Sequence, residues 1–398
     1  MPFLFHNSLF YVLRIKESMF IKKDRLKSDV QSFLGITIAL VVIGFLFIYS
    51  SSSVYALENF GSSHYFIKKQ CIGLALGLVA LLCARFVSLD LLESVTPLFF
   101  FGMFILTALT LVPQLGTRIH GSSRWLNLGF LSLQPSELLK LAFVIYIARF
   151  LAKKEKKKFT FLNSYLPFLV VIALVAGILL KQPDFGLAVT LAITAFLLLF
   201  IAGFPLKHLL LTGATLIPVI AFLIFKHAYR LRRILTFLNP WQDPQGAGFQ
   251  IIQSLIAIGS GKWWGSGISH SKQKFFYLPM QHTDFIFSII AEETGFIGSC
   301  IVICLYLLFL FFGLRIAWQL KKPFHIFTTI GFTLLISLQA IINIFVVTGL
   351  LPTKGIGLPL ISYGNSALIC TFAMIGLILN MAAQEYGYHK GLVFSSFA

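Results

Sequence analysis

The chain has 398 residues, of which 58% are hydrophobic and only 12% charged, with a formal net charge of +18 and a mean hydropathy of +0.88. No water-soluble domain of this length has so little polar surface, and its apolar runs exceed what a core helix requires, so the chain is an integral membrane protein. The charge does not mark a nucleic-acid binder, because the basic residues fall in short runs between apolar segments and no nucleic-acid motif occurs.

The apolar runs are continuous and do not alternate as barrel strands do, so they span as helices. The predicted fold class is an all-α polytopic membrane protein with about ten transmembrane helices of roughly 20 residues each. They centre on 33–52, 70–87, 96–113, 136–152, 161–180, 186–203, 207–228, 284–313, 324–348 and 364–383. Residues 1–32 read as a cytoplasmic N-terminal extension, with Met1 or Met19 as the start and no cleavable signal peptide. Residues 33–386 form the membrane domain and 387–398 a cytoplasmic tail. Lys16, Lys22, Lys23, Arg25 and Lys27 hold the N-terminus inside. The inner loops then carry Arg85, the run Lys153-Lys-Glu-Lys-Lys-Lys158, Lys207, Arg315, Lys321 and Lys322, an inward bias that fits this orientation. Cys71, Cys83, Cys300, Cys304 and Cys370 lie in apolar segments at spacings that suit neither a metal site nor a disulfide framework, and read as small buried hydrophobes.

Four outer segments interrupt the spans. The first, 114–134, holds Arg124-Trp125 and runs into Gln134-Pro-Ser-Glu-Leu-Leu-Lys140 at the start of the fourth span. Arg124 is either an interfacial anchor or a fork that grips phosphate. Glu137 and Lys140, one turn apart, are either a structural pair or part of a site. The second is the corner Lys181-Gln-Pro-Asp-Phe-Gly186, a good turn sequence in which Asp184 has either role. The third, 229–283, is long enough to suggest function, and is the large extracytoplasmic loop between the seventh and eighth helices. It carries Arg230, Arg232, Arg233, Lys262, Lys272 and Lys274 with almost no acid to balance them. The fourth, Leu351-Pro-Thr-Lys-Gly-Ile-Gly-Leu-Pro-Leu-Ile-Ser-Tyr-Gly364, is apolar but broken by Pro and Gly, backbone that membrane depth tolerates only where it is buried in protein or lines a cavity. Lys354 within it needs an anionic partner.

Only 14 acidic residues occur, so their placement is informative. In Leu278-Pro-Met-Gln-His-Thr-Asp-Phe-Ile-Phe-Ser288 a single carboxylate, Asp284, stands between the basic loop and a long apolar helix, beside His282. It either caps that helix or acts as a base. Glu292 and Glu293 lie about two turns deeper. An acid beside a cationic cradle suggests proton chemistry on a polyanionic, membrane-borne substrate. No P-loop, dinucleotide fingerprint, His-Glu-x-x-His site or nucleophile elbow is present, so ATP-driven transport and hydrolase chemistry have no support.

Jointly, the motifs Gly121-Ser-Ser-Arg-Trp-Leu126, Leu133-Gln-Pro-Ser-Glu-Leu-Leu-Lys140, Gln182-Pro-Asp-Phe-Gly186, Gln253-Ser-Leu-Ile-Ala-Ile-Gly-Ser-Gly261, His282-Thr-Asp-Phe-Ile-Phe287 with Ala291-Glu-Glu293, and Gly349-Leu-Leu-Pro-Thr-Lys-Gly355 through Ile361-Ser-Tyr-Gly364 are highly specific. In this order the chain resembles the SEDS proteins (shape, elongation, division and sporulation), and its Leu-Pro-Thr-Lys-Gly segment is more like that of the division members. The resemblance implies a ten-helix peptidoglycan glycosyltransferase that polymerises lipid II on the outer face of the bacterial cytoplasmic membrane. It implies work beside a class B penicillin-binding protein and other division proteins, and a divalent cation, Mg²⁺ or Mn²⁺, for which Asp284 is a candidate contact. The family's essential acid falls on Asp284, its Thr-Lys-Gly lysine on Lys354 and its Arg-Trp arginine on Arg124. Glu137, Lys140, Gln134, His282, Asp184 and Ser362 join these as candidate substrate contacts. Asn365 and Ala367 depart from the family's Ile-Ser-Tyr-Gly-Gly-Ser-Ser; Asn tolerates left-handed backbone, so the turn is expected to survive. The expected reaction is inverting glycosyl transfer with Asp284 as general base. The alternatives are a lipid II flippase, a side-wall polymerase of the same family, and a scaffold that recruits division partners.

Overall fold

The computed structural model describes residues 23–114, 116–119, 122–127, 132–154, 165–225, 228–246, 248–274 and 278–385. Residues 1–22 of the expected extension, the expected tail 387–398 and residues 155–158 of the lysine run lie outside the described residues.

Helices α1 (Lys23–Phe60), α2 (Tyr65–Phe86), α3 (Leu89–Leu109), α4 (Pro135–Lys154), α5 (Leu166–Lys181), α6 (Phe185–Ile201) and α7 (Leu206–Phe225) occupy the first seven predicted spans. Two further helices, α8 (Ala228–Leu238) and α9 (Phe249–Ser260), lie within the long loop. The last three spans are α10 (Ile286–Trp318), α11 (Pro323–Val347) and α12 (Asn365–Glu385). Six of these helices, α1, α2, α3, α10, α11 and α12, are long and apolar enough to cross a membrane by themselves, while α5 and α6 are apolar but shorter. At 38 residues, α1 is about 57 Å long at 1.5 Å per residue. That exceeds the hydrocarbon core of about 30 Å, so its polar first turns, placed by sequence in the extension, continue the same helix.

The segment after α3 adds a small antiparallel sheet to this all-α bundle. Its strands are β1 (Gly116–Ile119), β2 (Ser122–Asn127) and β3 (Ser132–Leu133), in the order β1-β2-β3, with Gly116 opposite Leu126 and Leu126 opposite Leu133. Pairing the strands satisfies backbone groups that no helix serves.

Hydropathy predicts one unbroken eighth span, but α10 is interrupted at Gly295, which has φ 67° and ψ −163°. The loop after α9 replaces the missing helical hydrogen bonds. Phe296 N and Ile297 N donate to Lys262 O and Trp263 O at 2.8 and 3.3 Å, and Ser266 N and Gly267 N donate to Glu292 O and Glu293 O at 2.9 and 3.0 Å. A Cβ on Gly295 would lie 2.4 Å from Gly265 N. Both the left-handed φ and the close approach therefore require glycine.

Apolar burial drives little association between helices in lipid, so close packing does more of the work. Backbones approach where glycines remove bulk: a Cβ on Gly376 of α12 would stand 2.4 Å from Leu81 O of α2, and one on Gly44 of α1 would stand 2.7 Å from Ile361 Cα. At one end of the bundle Arg315 pairs with Asp29 at 3.0 Å, Lys322 with Asp90 at 3.0 Å and Lys321 with Glu385 at 3.0 Å, linking α1, α10, α3, α12 and the α10–α11 turn. The cysteines depart from expectation: Cys370 is buried, but Cys71, Cys83, Cys300 and Cys304 are exposed on helix surfaces. A bundle in lipid has an apolar exterior, so a small apolar side chain gains nothing by facing inward.

Asn365, one of the departures from the family pattern, sits over Gly73 of α2. A Cβ there would lie 2.5 Å from Asn365 Oδ1. Gly73→Ala is expected to cost about 1–3 kcal/mol by overpacking. Adding Asn365→Gly should recover most of the lost apparent Tm in detergent, and no recovery would show that this contact does not set the helix spacing.

Candidate functional site

The end of the bundle opposite those ion pairs gathers β2, the corner between α5 and α6, α8, the approach to α10 and the broken segment 351–364. Arg124 projects from β2 onto the corner. Its Nε donates to Gln182 O at 3.2 Å, its Nη2 donates to Pro183 O at 2.5 Å, and its Nη1 lies 3.5 Å from Asp184 Oδ2. A guanidinium has five N–H bonds, so one on each terminal nitrogen remains for an anion. Gln182 is locked beneath by Thr107 O at 2.9 Å and Thr110 Oγ1 at 2.5 Å. Asp184 caps α6, accepting from Leu187 N at 3.2 Å, and so combines both roles foreseen for it.

The same corner meets the broken segment. A Cβ on Gly186 would lie 2.7 Å from Ile356 Cδ1 and 3.7 Å from Lys354 Cβ. The Lys354 ammonium stands 5.1 Å from the centroid of the Phe185 ring, a cation–π distance. No described carboxylate lies within ion-pair reach of it, and burial lowers its pKa.

Asp284 does not cap α10. The N-cap position belongs to Phe285 and carries no side-chain hydrogen bond. The non-helical approach is instead fastened carbonyl by carbonyl. His282 O accepts from Tyr363 N at 3.0 Å, Thr283 O from Ser362 Oγ at 2.6 Å, and Asp284 O from Asn343 Nδ2 at 2.7 Å. Ser362 Oγ also accepts from Leu358 N at 2.7 Å. Ser362 therefore acts here as a staple between two segments. The His282 ring is enclosed by Phe66, Tyr55 and Tyr363, with centroids at 4.3, 5.8 and 5.8 Å. Burial pushes its imidazole down to about 4, so it is neutral near pH 7 and adds no charge.

The Asp284 carboxylate is half-buried. Burial pushes it up to about 6, opposed by Arg124, reinforced by Asp184 and opposed again by Arg233. Asp184 is itself raised by burial, with Arg124 pulling the other way. Arg233 of α8 donates to Thr353 O at 2.9 Å, fixing the start of the Thr-Lys-Gly turn. A Cβ on Gly355 would meet only Asp284 Oδ2 within 4 Å, at 3.4 Å. The carboxylate is therefore open on the side where Gly355 lacks a side chain.

Glu137 and Lys140 pair at 2.5 Å inside the bundle, and Lys140 also donates to Gln339 Oε1 at 3.3 Å. Their charges reach Asp184, so they form a layer beneath the corner. Gln134 joins β3 to α4, with Nε2 donating to Ser136 Oγ at 3.2 Å and its backbone N to Ser366 Oγ at 3.2 Å. The structure thus brings together Asp284, Asp184, Arg124 and Lys354, while His282, Ser362, Gln134, Glu137 and Lys140 support them from behind.

One expectation about the long loop changes. Lys274 turns inward, with Nζ 3.8 Å from Glu293 Oε1, and is buried, whereas Lys262 and Lys272 are exposed. The deep acids hold this loop: Glu293 accepts from Ser50 Oγ at 2.7 Å and Ser271 N at 3.3 Å, and Glu292 accepts from Lys272 N at 2.8 Å and from Ser271 Oγ. Sequence reasoning missed Gln339 and Asn343, both buried on α11. Their signal is two amides four residues apart, hence on one helix face, in an otherwise apolar span.

Among the described residues no group of three or more His, Cys, Asp or Glu side chains could hold a metal ion. A closed protein cage for Mg²⁺ or Mn²⁺ is therefore not built from them. The open mode, in which Mg²⁺ takes one or two carboxylates together with substrate phosphates, fits Asp284.

Residues 31–387 match the family model of the FtsW, RodA and SpoVE cell cycle proteins. The chain is 40% identical over 354 residues, 89% of this chain and 96% of the relative, to a protein of Geobacter sp. (strain M18) named "Probable peptidoglycan glycosyltransferase FtsW". It is 38% identical over 347 residues to stage V sporulation protein E of Bacillus subtilis (strain 168), covering 87% of this chain and 95% of that one. Its fold superposes with TM-score 0.75 and 31% identity on a chain of a peptidoglycan synthase complex described as coordinating polymerization and crosslinking, covering 89% of this chain and 98% of that one. It superposes with TM-score 0.67 and 28% identity on the rod shape determining protein RodA of Thermus thermophilus, over 89% and 96% of the two chains. The chain belongs to the FtsW/RodA/SpoVE family of cell cycle proteins, the SEDS family.

Proposed function

We propose that this protein is a peptidoglycan glycosyltransferase that polymerises lipid II into glycan strands during cell division. The observation that carries the reading is the Asp284 carboxylate, half-buried, not used as a helix cap and open beside Gly355, with Arg124 and Arg233 acting on it and Lys354 over Phe185 at the same corner. Similarity to relatives named peptidoglycan glycosyltransferase supports it.

Asp284 takes the proton from the 4-hydroxyl of the acceptor sugar. The freed oxygen attacks the anomeric carbon of the donor chain from the face opposite its leaving group, and the configuration inverts. The bond from that carbon to the pyrophosphate oxygen breaks, and its electron pair leaves with undecaprenyl pyrophosphate. That leaving group is already a stable anion, so charge stabilisation matters more than protonation. The two N–H bonds of Arg124 left by the corner, and the Lys354 ammonium, supply it through charge-assisted hydrogen bonds. A divalent cation, Mg²⁺ or Mn²⁺, held by Asp284 and the diphosphate would add neutralising charge there. One carboxylate suffices, because no covalent glycosyl-enzyme forms.

The basic residues Arg85, Lys207, Arg315, Lys321 and Lys322 favour a cytoplasmic placement of the ion-paired end and of both termini. The site then faces outward from the bacterial cytoplasmic membrane, at the division septum. A class B penicillin-binding protein acts beside it and cross-links the strands. Support comes from the likeness to a chain of a complex described as coordinating polymerization and crosslinking.

Asp284→Asn keeps the shape and removes the base. With the cognate transpeptidase present, polymerisation of lipid II should fall by at least about 10²-fold; strands made at the parent rate would reject the assignment. In liposomes, lipid II moved between leaflets without strand formation would identify a flippase instead. Because burial places the carboxyl at about 6 and a base works only when ionised, kcat/KM should fall by about tenfold per pH unit below that point. A profile flat from pH 7 to pH 5 would show that another group accepts the proton. Gly355→Ala sets a methyl against the open side of the carboxylate and should lower kcat on the order of tenfold by misplacing the acceptor, with the apparent Tm unchanged. Parent kcat would mean that the acceptor arrives from a different side.

A further inference from the structure

Asn343 lies about one turn from the C-terminal end of the apolar helix α11, is 1% exposed, and uses both hydrogens of its side-chain amide. Nδ2 donates to Asp284 O at 2.7 Å and to Ile356 O at 2.7 Å. Both partners are backbone carbonyls, which only accept, so the nitrogen must face them. The amide oxygen on its other side is buried without a hydrogen-bond partner. An unsatisfied buried acceptor costs on the order of 1–3 kcal/mol; a leucine of similar volume would avoid that cost but would strand the carbonyls of Asp284 and Ile356. The amide is therefore kept for the two bonds that its nitrogen makes.

The two carbonyls belong to the two segments that matter for the reaction. One is the carbonyl of Asp284 itself. The other follows Lys354 and Gly355 directly, and Gly355 is the residue whose missing side chain leaves the Asp284 carboxylate open. One nitrogen on α11 therefore fixes the distance between the acid and the turn that carries the cation. Thr283 O and His282 O are held by Ser362 and Tyr363, which move with the broken segment. Asn343 alone ties both segments to a transmembrane helix through a single atom.

We infer that Asn343 is a positioning residue for glycosyl transfer, setting Asp284 against the Lys354-Gly355 turn through the two hydrogen bonds of its amide nitrogen. The inference rests on the reading of Asp284 as the base. Without those bonds the approach to α10 loosens, the carboxylate is displaced from the acceptor hydroxyl, and water enters behind it. The charged groups that act on Asp284, namely Arg124, Asp184 and Arg233, are held by other contacts and stay in place. The position of the carboxylate is therefore the quantity that changes.

The test uses the full chain with its transpeptidase partner and lipid II, in the parent, Asn343→Ala, Asn343→Ser and Asp284→Asn forms. Asn343→Ala should lower kcat by about 10–100-fold, as a displacement near 1 Å does, with KM little changed. A fall in kcat at constant KM separates a misplaced acid from a loss of substrate binding. Asn343→Ser keeps one donor and should fall between the parent and the alanine form. Parent kcat in Asn343→Ala, or a loss carried by KM with kcat at the parent value, would overturn the inference while leaving the base assignment standing if Asp284→Asn is inactive. Failure of both Asn343 variants to yield folded, monodisperse protein would overturn it too, since the amide would then serve folding. Parent activity in Asp284→Asn would remove the base assignment and this inference with it.

Discussion

The site depends on hydrogen bonds to backbone that is not helical. At membrane depth water is scarce, and a carbonyl outside regular structure must find a protein donor. The carbonyls of His282, Thr283 and Asp284 each find one, from Tyr363, Ser362 and Asn343 respectively. Satisfying those groups fixes the approach to α10 in space and, with it, the carboxylate of Asp284. The same bonds hold the segment 358–363, so acid and lysine are set by one network rather than by two independent loops. A helix cap at Asp284 would have consumed the carboxylate, whereas fastening through main-chain oxygens leaves it available.

Charge at the site is balanced by position. Arg124 acts on both Asp184 and Asp284, Arg233 acts on Asp284, and Lys354 stands over Phe185 at the same corner, one positive charge in excess among these five residues. Asp184 restrains Arg124 without neutralising it, because the contact is 3.5 Å and the guanidinium is held mainly by two carbonyls of the corner. A fork oriented this way retains donors for phosphate. Lys354 is treated differently: the face of Phe185 holds its ammonium without supplying a counter-ion. An aromatic face costs a cation less than apolar burial alone, and leaves it without a described counter-ion.

Much of this was legible in the sequence, for physical reasons. Charges are expensive in hydrocarbon, so Asp284, Arg124, Lys354 and Asp184 stood out by location alone. Spans were legible because hydropathy and the thickness of the bilayer fix their length. What stayed hidden does not register in hydropathy. The break at Gly295 is a matter of φ, and an isolated glycine in an apolar run gives no sign of it. His282 and Ser362 were singled out as substrate contacts, yet their observed bonds are internal, and for His282 run through a main-chain oxygen that every residue possesses. Gln339 and Asn343 are uncharged, so they drew no attention, although two amides on one face of an apolar helix seldom lack partners. The cysteines misled because the rule for soluble cores, small apolar residues inside, loses force when the surroundings are lipid.

The deep acids complete the argument about how many carboxylates take part. Glu292 and Glu293 lie below Asp284 on α10, where acids are expected to pair with basic or polar groups. Their oxygens gather Ser50, Ser271, Lys272 and Lys274. Their main-chain oxygens accept from Ser266 and Gly267, in the turn that lies against the break at Gly295. The loop that repairs the broken helix is thus held by the acids that precede the break, and those acids are engaged. Asp184 is engaged as well, as a helix cap and as the partner of Arg124. Of the two acids at the corner, Asp184 and Asp284, Asp284 is the one whose carboxylate is assigned to no structural contact among the described residues. An inverting transfer asks for one such group, and the fold leaves one.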